Sequence, residues 1–299
     1  MSVRDGFLLI DKPAGVSSFS VVRSMRSRLS VKKAGHAGTL DPQAVGLLVC
    51  AFGKATRLIR YLPLEPKVYE FTVTFGSRTD TLDGAGTVVA SGGTVPSETA
   101  LVTCLNEFTG PQMQVPPVFS ALKVGGKRSY ALARKGTPPD LQPRRIDVSR
   151  FTLLRYNGTV GTAEFSVTCS GGTYVRALAR DIAEKLGTLG YASAIRRVRC
   201  GIFDVSNAYL PDMVSGTTPP LLIPEEVFHA DAGMELSEAL FNAVRHGKDI
   251  PSDGVSPEEE RYVMAFYRKR LIAVLRKTGQ DVFHPDLVYA AVEGGHADT

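Results

Sequence analysis

Apolar runs, and the turn-forming residues that close them, divide this chain into elements of two periods. Phe7 to Ile10 is a short apolar run stopped by Asp11-Lys12-Pro13 and predicts a strand. Ser17 and Ser18 suit a helix N-cap, and Val21, Val22, Met25 and Leu29 follow at helical spacing. Val45 and Leu47 to Ala51, interrupted only by Gly46, predict a buried element. Gly53 to Leu62 reads as a second short helix. Val68 to Phe75 is rich in aromatic and β-branched residues and predicts a strand. Ser97 to Phe108 fits a capped helix with one apolar face. Ile146 to Tyr156 and Thr162 to Ser170 alternate around Asn157-Gly158, a hairpin signature. Thr173 to Leu186 places Leu178, Ile182 and Leu186 at four-residue steps and ends at Gly187, which predicts a strong helix.

Between these elements lie stretches with loop chemistry. Gly35-His36-Ala37-Gly38-Thr39-Leu40-Asp41-Pro42 has two glycines and a proline around one carboxylate, which predicts an exposed loop rooted in the apolar run that follows. Arg78 to Gly86 is dense in acidic and hydroxyl residues but is neither a dinucleotide-binding glycine motif nor a P-loop. Gln112 to Arg145 carries Pro116-Pro117, Gly125-Gly126, Pro138-Pro139 and Pro143 around one helical piece, Lys127 to Arg134, and predicts a mobile, basic excursion from the core. After Ile202-Phe203 the pattern turns irregular, with Thr217 to Pro220 and Pro224 as a connection. A new unit starts near Glu235: a helix from Leu236 to Arg245, a stop at Gly247, and short strands at Arg261 to Tyr267 and Leu271 to Arg276. These signals predict a large domain over residues 1–230 and a small β-barrel-like module over 231–299.

The 299 residues, 43% hydrophobic, support a sizeable core, and 35 Lys+Arg against 30 Asp+Glu give a net charge of +5. The excess is clustered at Arg23 to Lys33, at Arg144-Arg145, at Arg196, Arg197 and Arg199, and at Arg268 to Arg270, a distribution that suits a phosphate backbone. Cys50, Cys104, Cys169 and Cys200 are far apart and read as reduced core thiols. The five scattered histidines and the lack of paired cysteines give no support for a metal site. Neither a signal segment nor a transmembrane-length run is evident, so a cytoplasmic location without membrane contact is expected.

On residue types alone, Asp41 before Pro42 is more often a turn former than a catalyst. Tyr69 is equally a core strand residue, Arg176 a helix-surface cation, Tyr174 a packing residue and His36 a structural histidine. Asp80 and Asp83 suit Asx turns as well as support of a site. Lys12, Lys123, Arg134, Arg144 and Arg145 are candidate phosphate contacts.

Taken together, Asp11-Lys12-Pro13 with Gly15 and Ser17-Ser18, the Gly35 to Asp41 loop with Gly46-Leu47-Leu48, Tyr69, the Arg78 to Gly86 loop, Pro116-Pro117 followed by Ser120-Ala121 and Lys123, and Gly172-Thr173-Tyr174-Val175-Arg176 resemble the bacterial-type TruB family of tRNA pseudouridine synthases. The resemblance spans most of residues 6 to 203, and the tail resembles the PUA-type RNA-binding module of such enzymes. It implies an α+β fold, with a mainly antiparallel mixed sheet flanked by helices and loops, and the 112–145 excursion as an RNA-gripping thumb. It also implies isomerisation of the T-arm uridine conventionally numbered 55, in a flipped-out nucleotide, without metal or cofactor. By resemblance Asp41 is the catalytic carboxylate, Arg176 its charge partner and Tyr69 the residue that stacks on the base. Tyr174 contacts the site, and His36 recognises the flipped nucleotide or fills its place. A monomer acting on tRNA without a guide RNA is expected, with the tail reaching toward the acceptor end. The alternative is a non-catalytic protein that binds or folds tRNA.

Overall fold

The computed structural model describes residues 5–216, 219–229, 233–252, 262–279 and 281–289. The chain opens with β1 (Gly6–Lys12), α1 (Ser18–Arg28), β2 (Ala34–Ala37) and β3 (Val45–Phe52), then passes through a 3-10 helix (Gly53–Tyr61) into β4 (Lys67–Phe75). A hairpin of β5 (Ser77–Thr79) and β6 (Val88–Ser91) precedes α2 (Glu98–Glu107) and β7 (Gly110–Gln114). The excursion holds β8 (Lys123–Val124), β9 (Lys127–Arg128) and the short helix α3 (Ser129–Ala133). β10 (Arg144–Asn157), β11 (Thr162–Cys169), α4 (Val175–Lys185), β12 (Gly190–Cys200) and β13 (Phe203–Asp204) complete the larger sheet. Then come α5 (Pro224–Phe228), β14 (Met234–Glu235), α6 (Glu238–Arg245), β15 (Ile250–Pro251), β16 (Tyr262–Tyr267), β17 (Arg270–Lys277) and β18 (Val282–Val288).

The larger sheet runs β1-β3-β12-β4-β11-β10-β7, with β2 beside β3 and β13 beside β12. Its one parallel pairing among the described residues is β3 with β12, so it is the mainly antiparallel mixed sheet expected from the sequence. β1 covers one edge of β3 from Gly46 to Phe52. On the other edge β2 pairs with Val49 to Phe52, and β12 takes over at Val45 and Gly46. The chain from Gly38 to Ala44, with Asp41 in it, leaves the sheet where the neighbour changes. Gly46 permits that change: its φ is +99°, and a Cβ there would stand 2.3 Å from the Arg197 carbonyl oxygen.

Both faces of β1 and β3 are covered, which is why these strands read as unbroken apolar runs. Leu8, Ile10, Leu48, Cys50 and Phe52 pack on Val21, Val22 and Met25 of α1. Phe7, Leu9, Leu47, Val49 and Ala51 share a second cluster with Phe266, Leu271 and Val274 of the smaller sheet. α2 and α4 cover one face of β4, β10 and β11, with Leu178, Ala179, Ile182 and Ala183 packed on Phe71, Val73 and Phe165. The smaller sheet, β14-β16-β17-β18-β15, is closed by Phe241 and Val244 of α6. The four cysteines are buried and unpaired, as their spacing suggested.

Several elements differ from expectation. Gly35 to Ala37 is strand β2 and not loop, because its backbone pairs with Val49 to Ala51; the loop proper starts at Gly38, whose φ is +82°. β12 was not visible as a strand because its arginines break the alternation, and bulges at Ala192/Ala194 and Arg197/Arg199 shift its register. β18 was missed for a related reason, since His284, Pro285 and Asp286 look like a turn. The expected boundary at residues 230–231, Thr217 in the expected connection, and Arg261 at the start of an expected strand lie outside the described residues.

Candidate active site

Asp41 begins a turn closed by the Ala44 N–H donating to the Asp41 carbonyl at 3.1 Å. The backbone is tied down on both sides of the carboxylate. Buried Ser18 donates from Oγ to the Leu40 carbonyl (3.0 Å) and accepts from the Leu40 N–H (2.9 Å). The Pro42 carbonyl accepts from the Gly15 N–H (2.9 Å) and from Lys12 Nζ (3.0 Å). Lys12 also donates to the Pro13 and Val16 carbonyls at 2.8 Å each. Its side chain is fully buried and its three protons are taken by carbonyls, so Lys12 anchors the loop and is not the phosphate contact the sequence suggested. Burial pulls the Lys12 pKa down to about 8, against the opposing pull of the Asp41 charge.

Arg176 reaches Asp41 from the first turn of α4, whose start is fixed by Gln114. That buried amide accepts from the Tyr174 N–H (2.9 Å) and donates to the Tyr174 carbonyl (3.1 Å). Arg176 is 3% exposed and not a helix-surface cation. Its Nε lies 2.8 Å from Asp41 Oδ2, an ion pair without hydrogen-bond alignment. Nη1 donates to the Thr81 carbonyl (2.7 Å) and Nη2 to the Phe119 carbonyl (2.9 Å). Asp83 Oδ2 stands 3.7 Å from Nη1, while Asp83 Oδ1 accepts from Thr81 Oγ1 (2.6 Å) and the Ala85 N–H (3.0 Å). Asp83 therefore supports the pair. Asp80 accepts from the Thr87 N–H (2.9 Å) and shapes the turn.

Two cavities meet at Asp41. One, of about 810 Å³, is walled by Phe19, His36, Ser120, Tyr130 and Arg134. The other, of about 510 Å³, is walled by Tyr69, Tyr174, Lys123 and Arg197. Asp41 and Arg176 line both, and the carboxylate is 40% exposed while its partner is not. A cavity of about 640 Å³ on the far side of β1, between Leu8, Tyr209 and Leu222, holds none of these groups.

Burial raises the Tyr69 hydroxyl to about 12, opposed by the charge of Arg197. Burial likewise raises Tyr174, with Arg144 among the charges acting the other way. His36 is pulled below its usual value, first by burial and then by Arg197, so its ring is neutral at neutral pH. Its Nδ1 is buried without a hydrogen-bond partner among the described residues. Arg144 is exposed at the start of β10; Arg145 is exposed beside it, opposite Met113 of β7, away from the cavities. Of the Arg196–Arg199 cluster, Arg196 is paired with Asp11 (2.7 Å) and Arg197 is buried, so those two do not form the phosphate contact expected of them.

Sequence reasoning missed Ser18, Gln114, Arg197 and the exposed Phe19. The Ser17-Ser18 pair held one signal: only Ser17 caps α1, which leaves Ser18 for the loop.

The mixed sheet that carries this loop has the pseudouridine synthase fold, as two solved structures show. The structure titled "Crystal Structure of a Cbf5-Nop10-Gar1 Complex" superposes on 95% of this chain and 85% of its own, with TM-score 0.73 and 24% identity. "Structure of H/ACA RNP bound to a substrate RNA containing 2'-deoxyuridine" gives 0.72 over 96% and 86%, at 23% identity. The family model described as "TruB family pseudouridylate synthase (N terminal domain)" matches residues 26–175. Proteins named tRNA pseudouridine synthase B are similar along most of the chain. That of Gluconobacter oxydans is 44% identical over 87% of this chain and 76% of the relative; that of Aquifex aeolicus is 45% identical over 82% and 87%. That of Mycobacterium tuberculosis is 37% identical over 92% of both. The chain belongs to the TruB family of pseudouridylate synthases.

Proposed function

We propose that this protein isomerises uridine to pseudouridine in the T-arm of tRNA, with Asp41 as the catalytic carboxylate acting on a flipped-out nucleotide. The N1–C1′ bond breaks with its electron pair on the uracil, the base turns, and a C5–C1′ bond forms; C5 then loses its proton and N1 gains one. The observation that carries the reading is the Asp41–Arg176 pair, which holds a solvent-facing carboxylate against a buried guanidinium where two cavities meet.

Tyr69 offers an aromatic wall on which the uracil stacks, and such stacking contributes about 1–3 kcal/mol per base. His36, neutral, recognises the displaced nucleotide from the cavity it lines. Tyr174 closes the first cavity beside Arg176. Lys123 and Arg134 rim the cleft for phosphates, exposed Arg144 and Arg145 extend that surface along β10, and the excursion grips the stem. The smaller sheet acts as a PUA-like module toward the acceptor end. The enzyme works as a cytoplasmic monomer without guide RNA, metal or cofactor.

The test is to incubate the protein with unmodified tRNA and map pseudouridine by position. Product at the T-arm uridine is expected from the wild type and none from Asp41→Asn, with tRNA affinity preserved. Undiminished product from the Asn variant would remove Asp41 from the mechanism. Tight tRNA binding without any product would favour the non-catalytic alternative.

A further inference from the structure

Arg197, 1% exposed, is the largest of the completely buried side chains. Burying a guanidinium is costly unless its charge is met, and the usual partner is a carboxylate. Among the described residues Arg197 has none within ion-pair distance; the neighbouring Arg196 has Asp11. Arg197 is held by backbone carbonyls on two segments. Nε donates to the Leu47 carbonyl of β3 at 2.8 Å. Nη2 donates to the Gly38 carbonyl, where the Asp41 loop leaves the sheet, at 3.0 Å. On β12 it stands directly opposite Tyr69 of β4.

The same guanidinium forms part of the cavity wall that contains Tyr69. After burial, its charge works against protonation of Lys12, His36 and Tyr69. Lys12 adds a second buried nitrogen beneath the same loop. Two cations thus lie buried beneath the loop, held in place before any substrate arrives.

We propose that Arg197 is a positioning residue of the isomerisation: it ties the Gly38 end of the Asp41 loop to β3 beside Tyr69, and its charge favours the uracil that departs with the N1–C1′ electron pair. The proposal rests on the reading that Asp41 and Tyr69 enclose the target uridine. A fixed cation acts on the departing base more strongly than on neutral bound uridine, because the negative charge develops only as the bond breaks. Its influence falls on the rate and leaves RNA affinity unchanged, the opposite of an arginine that grips phosphate.

The experiment measures single-turnover pseudouridine formation on unmodified tRNA, and tRNA affinity, for wild type, Arg197→Lys, Arg197→Met, Tyr69→Phe and the Arg197→Lys/Tyr69→Phe double variant. Arg197→Met should lose about 100-fold or more in rate, as for removal of one preorganised group, with affinity unchanged. Arg197→Lys keeps the charge without the two-point bonding and should fall between the two. The double variant should be no slower than the slower single, because one acts through the other. A folded Arg197→Met enzyme at wild-type rate, or multiplying losses in the double variant, would overturn the proposal; if Arg197→Met does not fold, the Lys/Phe cycle decides alone. An inactive wild type would instead overturn the reading of the site on which the proposal rests.

Discussion

Arg176→Met tests the centre of the site, because it removes the cation and keeps the apolar stem. The Arg176 Nε to Asp41 Oδ2 separation is 2.8 Å. At that distance Coulomb attraction is about 6 kcal/mol with an effective dielectric constant of 20 and about 1.5 kcal/mol in bulk water. Arg176 is buried while Asp41 is 40% exposed, so the pair falls between these limits, at about 3 kcal/mol once screening is included. If that attraction holds Asp41 ionised and aimed during bond cleavage, its loss slows single-turnover isomerisation by about two orders of magnitude. The variant also orphans the Thr81 and Phe119 carbonyls, at about 1–3 kcal/mol each, which predicts a fall in Tm of roughly 5–10 °C. Arg176→Lys keeps a charge near Asp41, but one ammonium cannot serve Asp41, Thr81 and Phe119 together, so it should be intermediate in both measurements. The assay follows tritium released from C5-labelled uridine in tRNA, under saturating enzyme. A folded Met variant within about threefold of wild type would refute the assignment of Arg176 as the charge partner of Asp41.

Gly46→Ala should cost about 3 kcal/mol or more in urea unfolding, because its φ of +99° is strained for alanine and its Cβ would meet the Arg197 backbone at 2.3 Å; an unchanged midpoint would show that β3 and β12 can separate there. Lys12 has a pKa of about 8 when folded, below its ordinary value of 10.5, so between those values the unfolded chain binds the extra proton. Its unfavourable contribution is therefore complete below pH 8 and fades toward pH 10.5. Stability of the wild type relative to Lys12→Met should rise across that window, and a constant difference would contradict it. A chain ending at residue 229 would lose Phe266, Leu271 and Val274 and uncover Phe7, Leu9, Leu47 and Val49, so gel filtration should show aggregation and not a folded monomer.

Strong periodicity carried the helices and paired strands from sequence to structure. α4 and the β10–β11 hairpin are local patterns whose apolar positions meet one core, so their residues alone define them. β12 is different, because it is held between two strands more than a hundred residues earlier, parallel to β3 and antiparallel to β4, and its side chains answer to the site more than to strand alternation. The arrangement around Asp41 was legible only as a set of residue types at recurring intervals. Which of two serines caps the helix and which holds Leu40 depends on a separation of 22 positions along the chain, and no local rule reports that. Lys12 shows the same limit. Next to a proline it has the composition of a surface loop, yet Pro13, Val16 and Pro42 fold their carbonyls over its ammonium.

The arginines do two kinds of work that a net charge of +5 does not separate. Arg176 and Arg197 are interior groups: one faces the catalytic carboxylate, and the other faces carbonyls and a tyrosine beneath the adjoining cavity. Arg196 is neutralised by Asp11. None of these is free to release a counterion from RNA, so the salt dependence of tRNA binding should reflect exposed cations at and beside the cleft, Lys123, Arg134 and Arg144, and not the total charge. Conversely, added salt is a weak handle on the interior pair, because low exposure of the guanidinium keeps ions from screening it. Rate at saturating enzyme and affinity therefore separate with ionic strength: affinity falls steeply while the bound complex turns over at a nearly constant rate. That separation is what a protein with one arginine population for grip and another for chemistry must show, and a common salt dependence would place the chemistry-bearing charges at the surface.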